Sequence, residues 1–380
     1  MPLLRRCTAA LLVTACGVST PQGPAPRSPN PDPARGALRV ETVARGLAHP
    51  WALAEFPDGR WLVTERPGRL RIVARDGTLS RPIANVPEVH ARGQGGLLDV
   101  ALDPAFARNR RIYLSFAEPA PDGSAGTAVA RAQLSDTALT YVEVIYRQDP
   151  KVFSDAHFGS RIVFARDGTL FVTQGERFAF RAQAQDLGSD LGKIVHITTD
   201  GAPAPGNPFL GRTDARPEIW SYGHRNVQAA ALDPATGQLW TAEHGARGGD
   251  ELNHPEAGKN YGWPVITYGR DYNGSRIGEG AVKAGMEQPV YYWDPIIAPS
   301  GMTFYTGDAF PGWKGSLLVG GLASKALVRL VLQNGAVVRE ERYLGEVGER
   351  IRDVAQGADG LLYVVTDEED GKLLRLRPGG

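Results

Sequence analysis

The chain has 380 residues, 42% of them hydrophobic, enough to fill one large core or two ordinary ones. Lys plus Arg and Asp plus Glu balance at 42 each, which excludes a global field drawing the protein to nucleic acid or to an anionic membrane surface. With 46 glycines and 28 prolines, the composition favours many turns and short strands over long helices and leans all-β.

Residues 1–16 read as an export leader. Arg5 and Arg6 supply positive charge, residues 8–13 a short apolar run, and Val13-Thr14-Ala15-Cys16 a small-residue box ending in cysteine. The pattern resembles a bacterial lipoprotein signal, which implies a lipid anchor at Cys16 rather than a spanning helix, since the run is too short to cross a bilayer. An ordinary secretory signal cleaved nearby is the alternative, and either way the expected location is periplasmic or at the cell surface. Both cysteines fall in this leader, so the rest of the chain has no disulfide or thiolate chemistry. Residues 17–37 are rich in proline and small polar residues and predict an extended tether, leaving 38–380 as the folded domain.

From there one pattern recurs: a Gly, Asp, Asn or Pro turn followed by a short apolar strand. It appears as W-L-V-T from Trp61, I-Y-L-S from Ile112, L-F-V-T from Leu170, L-W-T-A from Leu239, L-L-V-G from Leu317 and L-Y-V-V from Leu362. Four units add a second strand that mixes basic and apolar residues, G-R-L-R-I-V from Gly68, G-K-I-V-H-I from Gly192, S-K-A-L-V-R-L from Ser324 and G-K-L-L-R-L from Gly371. One such sheet cannot bury its faces alone, but six packed around an axis can. The expected fold is a six-bladed β-propeller of four-stranded antiparallel sheets; a β-sandwich or two β domains remain open, because sequence alone does not order the strands.

Polar residues gather beside the repeated strands. R-G-Q-G-G-L-L-D-V from Arg92 pairs Gln94 with glycines that let a backbone approach a ligand. Residues 155–176, D-A-H-F-G-S-R-I-V-F-A-R-D-G-T-L-F-V-T-Q-G-E, form a predicted hairpin with His157 at its mouth. S-Y-G-H-R-N from Ser221 offers Arg225 and Asn226, and R-I-R-D-V offers Arg350 and Arg352, whose spacing predicts one face of a strand. Singly, each arginine reads as a solvated side chain; several converging beside a histidine point to a multiply anionic ligand. E-H-G-A-R-G-G-D-E-L-N from Glu243 supplies carboxylates and turn carbonyls, which suit calcium and not zinc. His49, His244 and His254 lack ligand spacing and read as structural.

Taken together, Q-G-G-L-L-D-V-A-L-D-P at Gln94, H-F-G-S-R-I-V-F at His157, A-Q-D-L-G-S-D-L-G-K-I at Ala184, E-I-W-S-Y-G-H-R-N at Glu218, the Glu243 segment, G-K-N-Y-G-W-P at Gly258 and R-I-R-D-V resemble the soluble quinoprotein sugar dehydrogenases that use pyrroloquinoline quinone (PQQ). The resemblance implies a PQQ- and calcium-dependent oxidoreductase that takes the anomeric carbon of aldoses to lactones and passes electrons to an external acceptor. It assigns His157 as catalytic base, Gln94 and Tyr272 to the sugar, and Arg225, Asn226, Arg350 and Arg352 to the quinone. It further places Gly245 and Ala246 at the calcium touching the quinone, and Glu251 and Tyr261 at a second, structural calcium. Three departures stand out, of which Ala246 in place of the usual proline hardly matters if only its carbonyl binds. Ala156 precedes the histidine where the glucose-specific branch has an aspartate, so a polarising carboxylate is missing or supplied elsewhere. The cofactor lysine is displaced to Lys325, which two residues along a strand would keep on the same face. A non-catalytic propeller binding a sugar or protein partner is the competing class, and a propeller hydrolase lacks paired carboxylates beside His157. The chain is expected to act as a monomer or homodimer, touching a membrane only through the lipid anchor.

Overall fold

The structure, a computed structural model, describes residues 24–28, 31, 32, 34 and 36–379; the leader lies outside the described residues. The first strand, β1 (Leu38–Leu47), does not pair with its neighbours in sequence. The first sheet is β2 (Pro50–Glu55), β3 (Trp61–Glu65) and β4 (Arg69–Val73); the second is β5 (Leu97–Leu102), β6 (Arg111–Pro119), β7 (Ala125–Leu134) and β8 (Leu139–Arg147). The third is β9 (Ile162–Phe164), β10 (Leu170–Thr173), β11 (Lys193–Ile197) and β12 (Ile219–Tyr222), and the fourth β13 (Val227–Leu232), β14 (Leu239–Glu243), β15 (Asp250–Asn253) and β16 (Tyr291–Trp293). The fifth is β17 (Pro299–Phe304), β18 (Leu317–Gly321), β19 (Ala326–Gln333) and β20 (Ala336–Tyr343). In the sixth, β21 (Ile351–Gln356), β22 (Leu362–Thr366) and β23 (Gly371–Pro378) take β1 as their outer strand, from Leu38 opposite Pro378 to Leu47 opposite Gly371.

The result is a six-bladed antiparallel β-propeller, closed by joining the start of the folded domain to its end. Five sheets have four strands and the first has three. The six repeated apolar strands are β3, β6, β10, β14, β18 and β22, the second strand of each sheet. Apart from the ends of β6 they are buried along their whole length, which is why their sequences run apolar instead of alternating. Both faces of such a strand pack against neighbouring sheets, as when Trp61 of the first sheet meets Tyr363 of the sixth with ring centroids 4.5 Å apart.

The inner strands meet around the axis in a charged plug. Arg161, preceding β9, donates from Nη1 to Asp99 of β5 at 3.0 Å and from Nε to the Gln228 carbonyl of β13 at 2.8 Å, and pairs with Asp353 of β21 at 3.2 Å. Its guanidinium lies 4.1 Å from the Trp51 ring centre, and Asp353 accepts the Leu53 N–H of β2 at 3.0 Å. Gly301 of β17 closes the ring: a Cβ there would sit 1.6 Å from Asp353 Oδ1. All six blades are thus tied at the axis.

Described residues of the tether contact the propeller. Ser28 N–H donates to the Tyr292 carbonyl at 2.7 Å, Arg27 Nη2 to the Asp294 carbonyl at 2.6 Å and Asp32 N–H to the Glu340 carbonyl at 2.9 Å, along the outer edges of the fourth and fifth sheets.

Candidate active site

Antiparallel alternation decides which residues share a face. Every inner strand starts at one end of the propeller, so the segment before each inner strand and the turn between its second and third strands lie at that same end. Gln94, His157, Glu176, Arg225, Asn226, Gly245, Ala246, Lys325 and Arg350 all occupy such positions. Tyr272 reaches this face from the long connection between β15 and β16, which bridges back at Arg270 to Arg247.

His157 is 4% exposed and lies in the loop before β9 rather than at the lip of a long strand, in a left-handed backbone conformation with φ 53°. That conformation is costly for a non-glycine residue and is imposed by its surroundings. Its N–H donates to Gln94 Oε1 at 2.9 Å, and the following Gly159 N–H donates to Asn226 Oδ1 at 3.1 Å. A Cβ on Gly175 would stand 2.0 Å from the His157 carbonyl, so only glycine allows the loop to sit against the end of β10. Beneath it the buried Arg177 lies 3.7 Å from the Phe158 ring centre and donates to the carbonyls of Ala125 at 2.7 Å, Ala156 at 3.0 Å and Ser154. Burial lowers the Arg177 pKa to about 9, which leaves it charged at neutral pH.

The carboxylate missing at Ala156 is supplied by Glu176, whose Oε1 is 2.9 Å from His157 Nδ1. With Glu176 ionised, this contact places the proton on Nδ1 and leaves Nε2, which has no hydrogen-bond partner among the described residues, as the basic nitrogen. Burial first, then the charges of Arg225 and Arg177, push the His157 pKa well below its ordinary value, so the ring is neutral. Burial pushes Glu176 up to about 7 against the pull of Arg225 and Arg181. Sequence reading missed Glu176 because the carboxylate was sought beside the histidine in sequence, whereas it comes from across the hairpin; its signal was the T-Q-G-E that leads from the end of β10 into the following turn.

Arg225 donates from Nη1 to the carbonyls of His244 at 3.1 Å and Gly245, and from Nη2 to the Tyr272 hydroxyl at 3.2 Å. Arg352 is buried, held by Gln228 Oε1 at 2.8 Å and by Asp367. Arg350 is exposed and precedes β21; an irregularity in the pairing of β21 between Ile351 and Asp353 breaks the simple alternation expected for the pair. Lys325 lies in the turn between β18 and β19, not on a strand, so the same-face argument fails; yet its Nζ donates to the Gly348 carbonyl at 2.8 Å, on the rim that carries Arg350.

Gly245 N–H donates to Asp250 Oδ1 at 2.8 Å, while Asp250 Oδ2 accepts from Ile297 and Ala298, so Asp250 shapes the turn and is not free to bind. Ala246 is buried against Ala184, Trp263 and Ile277. Nearby a void of about 10 Å³, the size of one water molecule, is bounded by Glu243, Glu251 and Tyr261 among others. Burial, with the charges of Glu243 and Asp250, pushes the Glu251 carboxyl well above the usual range. The Tyr261 hydroxyl is committed to the His254 carbonyl at 2.6 Å. His49 and His244 are structural as expected: His49 Nδ1 is 3.1 Å from Asp367 and His244 donates to the Pro299 carbonyl at 2.7 Å.

Several buried polar atoms on this face make no hydrogen bond among the described residues: Glu176 Oε2, Asn226 Nδ2, Arg225 Nε, Arg352 Nε and both amide atoms of Gln174. Unsatisfied buried groups cost about 1–3 kcal/mol each, so their concentration beside His157 marks a place built for a polar ligand.

A family model described as glucose/sorbosone dehydrogenase matches residues 47–375. The chain belongs to this family. As a glucose/sorbosone dehydrogenase family member it is an oxidoreductase, and its relatives agree in sequence and shape. It is 47% identical over 350 residues to the aldose sugar dehydrogenase YliI of Escherichia coli, spanning 91% of this chain and 94% of that one. A crystal structure of a glucose dehydrogenase superposes with a TM-score of 0.87 at 52% identity, covering 90% of this chain and 99% of the other. The PQQ-bound aldose sugar dehydrogenase of Streptomyces coelicolor gives 0.75 at 33% identity, covering 91% and 99%.

Proposed function

We propose that the protein oxidises the anomeric carbon of aldose sugars to the lactone, using PQQ and calcium. The observation that carries this reading is His157, neutral and oriented by Glu176, opening onto a ring of buried polar atoms that lack partners.

The donor set fits the quinone. Arg225, Arg350, Arg352 and Lys325 bring positive charge to one face, matching a cofactor with three carboxylates, and the Asn226 amide and the arginine Nε groups, which make no hydrogen bond among the described residues, offer donors. When bound, PQQ supplies the hydride acceptor and calcium the Lewis acid that activates it. His157 Nε2 takes the proton of the anomeric hydroxyl, and Glu176 stabilises the imidazolium that forms. Gln94 fixes the His157 backbone, and Tyr272, tethered to Arg225 at the mouth, would contact the sugar.

The metal reading rests on backbone carbonyls of Gly245 and Ala246 and on Glu251, with Tyr261 alongside. A divalent cation beside Glu251 would relieve its repulsion with Glu243 and Asp250, and the water-sized void there supports that position. At Gly245 the Arg225 guanidinium holds the carbonyl, so a cation binding there displaces it.

Export to the periplasm or cell surface, with an external electron acceptor, completes the proposal. Among the described residues no helix is long and apolar enough to cross a membrane, which is compatible with a lipid anchor. The test is reconstitution of the apoprotein with PQQ and calcium, followed by dye reduction with a panel of aldoses. Sugar-dependent reduction is expected; sugar binding with no reduction by any aldose would favour a non-catalytic propeller.

A further inference from the structure

The end of the propeller opposite His157 holds a cavity of about 550 Å³, within the range of small-molecule sites. It is bounded by the turn between β9 and β10, the turn between β13 and β14, and the segment after β15; by strand alternation all three lie on the far face from the active site. Its aromatic floor is rigid. The rings of Phe171 and His196 stack at 4.3 Å and 17°, and Trp220 meets both edge-on at 5.3 and 5.1 Å. Trp220 is fixed by its Nε1–H, which donates to the Pro255 carbonyl at 3.2 Å. Both ring nitrogens of His196 are engaged, by Asn207 at 2.8 Å and Thr169 at 2.6 Å, and burial lowers its pKa, so the floor is uncharged.

The rim has another character. Arg166, Asp167, Gln238 and Glu256 surround the opening and are exposed, and the side chains of Gln238, His254 and Glu256 make no hydrogen bond to the described protein. Charges of both signs alternate with an amide, so the rim selects neither an anion nor a cation, and its polarity disfavours a lipid chain. The half-buried Trp220 edge over this floor gives aromatic surface for apolar C–H groups, and the side chains of Gln238, His254 and Glu256 give donors and acceptors for hydroxyls, which is what a neutral saccharide requires.

We propose that this cavity is a second, non-catalytic carbohydrate site that takes neutral sugar units independently of the central one. The experiment uses full-length protein labelled with 5-fluorotryptophan. The Trp220 fluorine signal is assigned through Trp220→Phe, and Trp263, 5.2 Å from the Arg225 guanidinium, reports the central site. Titration with maltose should move the Trp220 signal saturably in the millimolar range. The double variant Gln238→Ala/Glu256→Ala should weaken that response about tenfold, equivalent to ~1.4 kcal/mol, and leave turnover and the Trp263 response intact. A Trp220 signal that stays still while Trp263 responds overturns the proposal. So does a Trp220 response untouched by the rim variant, or one produced by citrate and not by maltose.

Discussion

The axis of the propeller carries two charged regions, and they obey opposite rules. In the plug, Asp99, Arg161 and Asp353 pair with one another and with the backbones of neighbouring blades; Arg161 Nη2 alone of their buried polar atoms makes no hydrogen bond among the described residues, and it still lies 3.2 Å from Asp353 Oδ1. In the mouth above it, Glu176, Asn226, Arg225 and Arg352 each make one set of contacts and leave a buried atom without a hydrogen bond among the described residues. Satisfied charge holds blades together; unsatisfied charge waits for a ligand. One motif supplies both kinds side by side: in R-I-R-D-V, Arg352 belongs to the mouth and the next residue, Asp353, to the plug.

Variants should separate the two regions. The largest effect is expected from His157→Ala, which removes the proposed base: turnover of the reconstituted protein should fall by about 10⁴-fold while the melting temperature is kept. Retained turnover would strip His157 of its role. Glu176→Gln should cost about 10²–10⁴-fold and also reshape the pH profile. In the unmodified protein Glu176 protonates as pH falls through about 7, whereas His157 is still neutral there, so kcat/KM should decline on the acid side near pH 7. In Glu176→Gln that limb should move to the lower pH at which His157 itself protonates; an unchanged limb would exclude Glu176 as its source.

In the plug, Arg161→Met strands Asp99 and Asp353 without their counter-charge and should destabilise the fold by about 3–5 kcal/mol in denaturant titration. Stability within error of the parent would show that the plug does not hold the blades. Smallest of all, Tyr272→Phe removes one hydroxyl from a ring that is 57% exposed, and should raise KM by less than about tenfold with kcat nearly unchanged. A collapse of kcat would make Tyr272 part of the chemistry.

The second strand of every sheet was legible because burial on both faces leaves an uninterrupted apolar run. The closure was less so: β1 pairs with β23 more than three hundred residues away, and no local pattern encodes that partner. At the site, His157, Arg225 and Asn226 were legible from motifs, while Glu176 hid in plain view because its distance from His157 is set by the hairpin's return and not by sequence neighbours. Arg350 and Lys325 show the other limit. Alternation predicts a face only inside a regular strand, and an irregular pairing and a turn remove that condition.

The central claim is that the unsatisfied atoms of the mouth exist to hold the quinone. Titrating calcium-loaded apoprotein with PQQ, followed by calorimetry, tests it without recourse to turnover. Saturable 1:1 binding is expected, retained in His157→Ala and strongly weakened in Arg225→Ala; absence of saturable binding, or equal binding in Arg225→Ala, would contradict it.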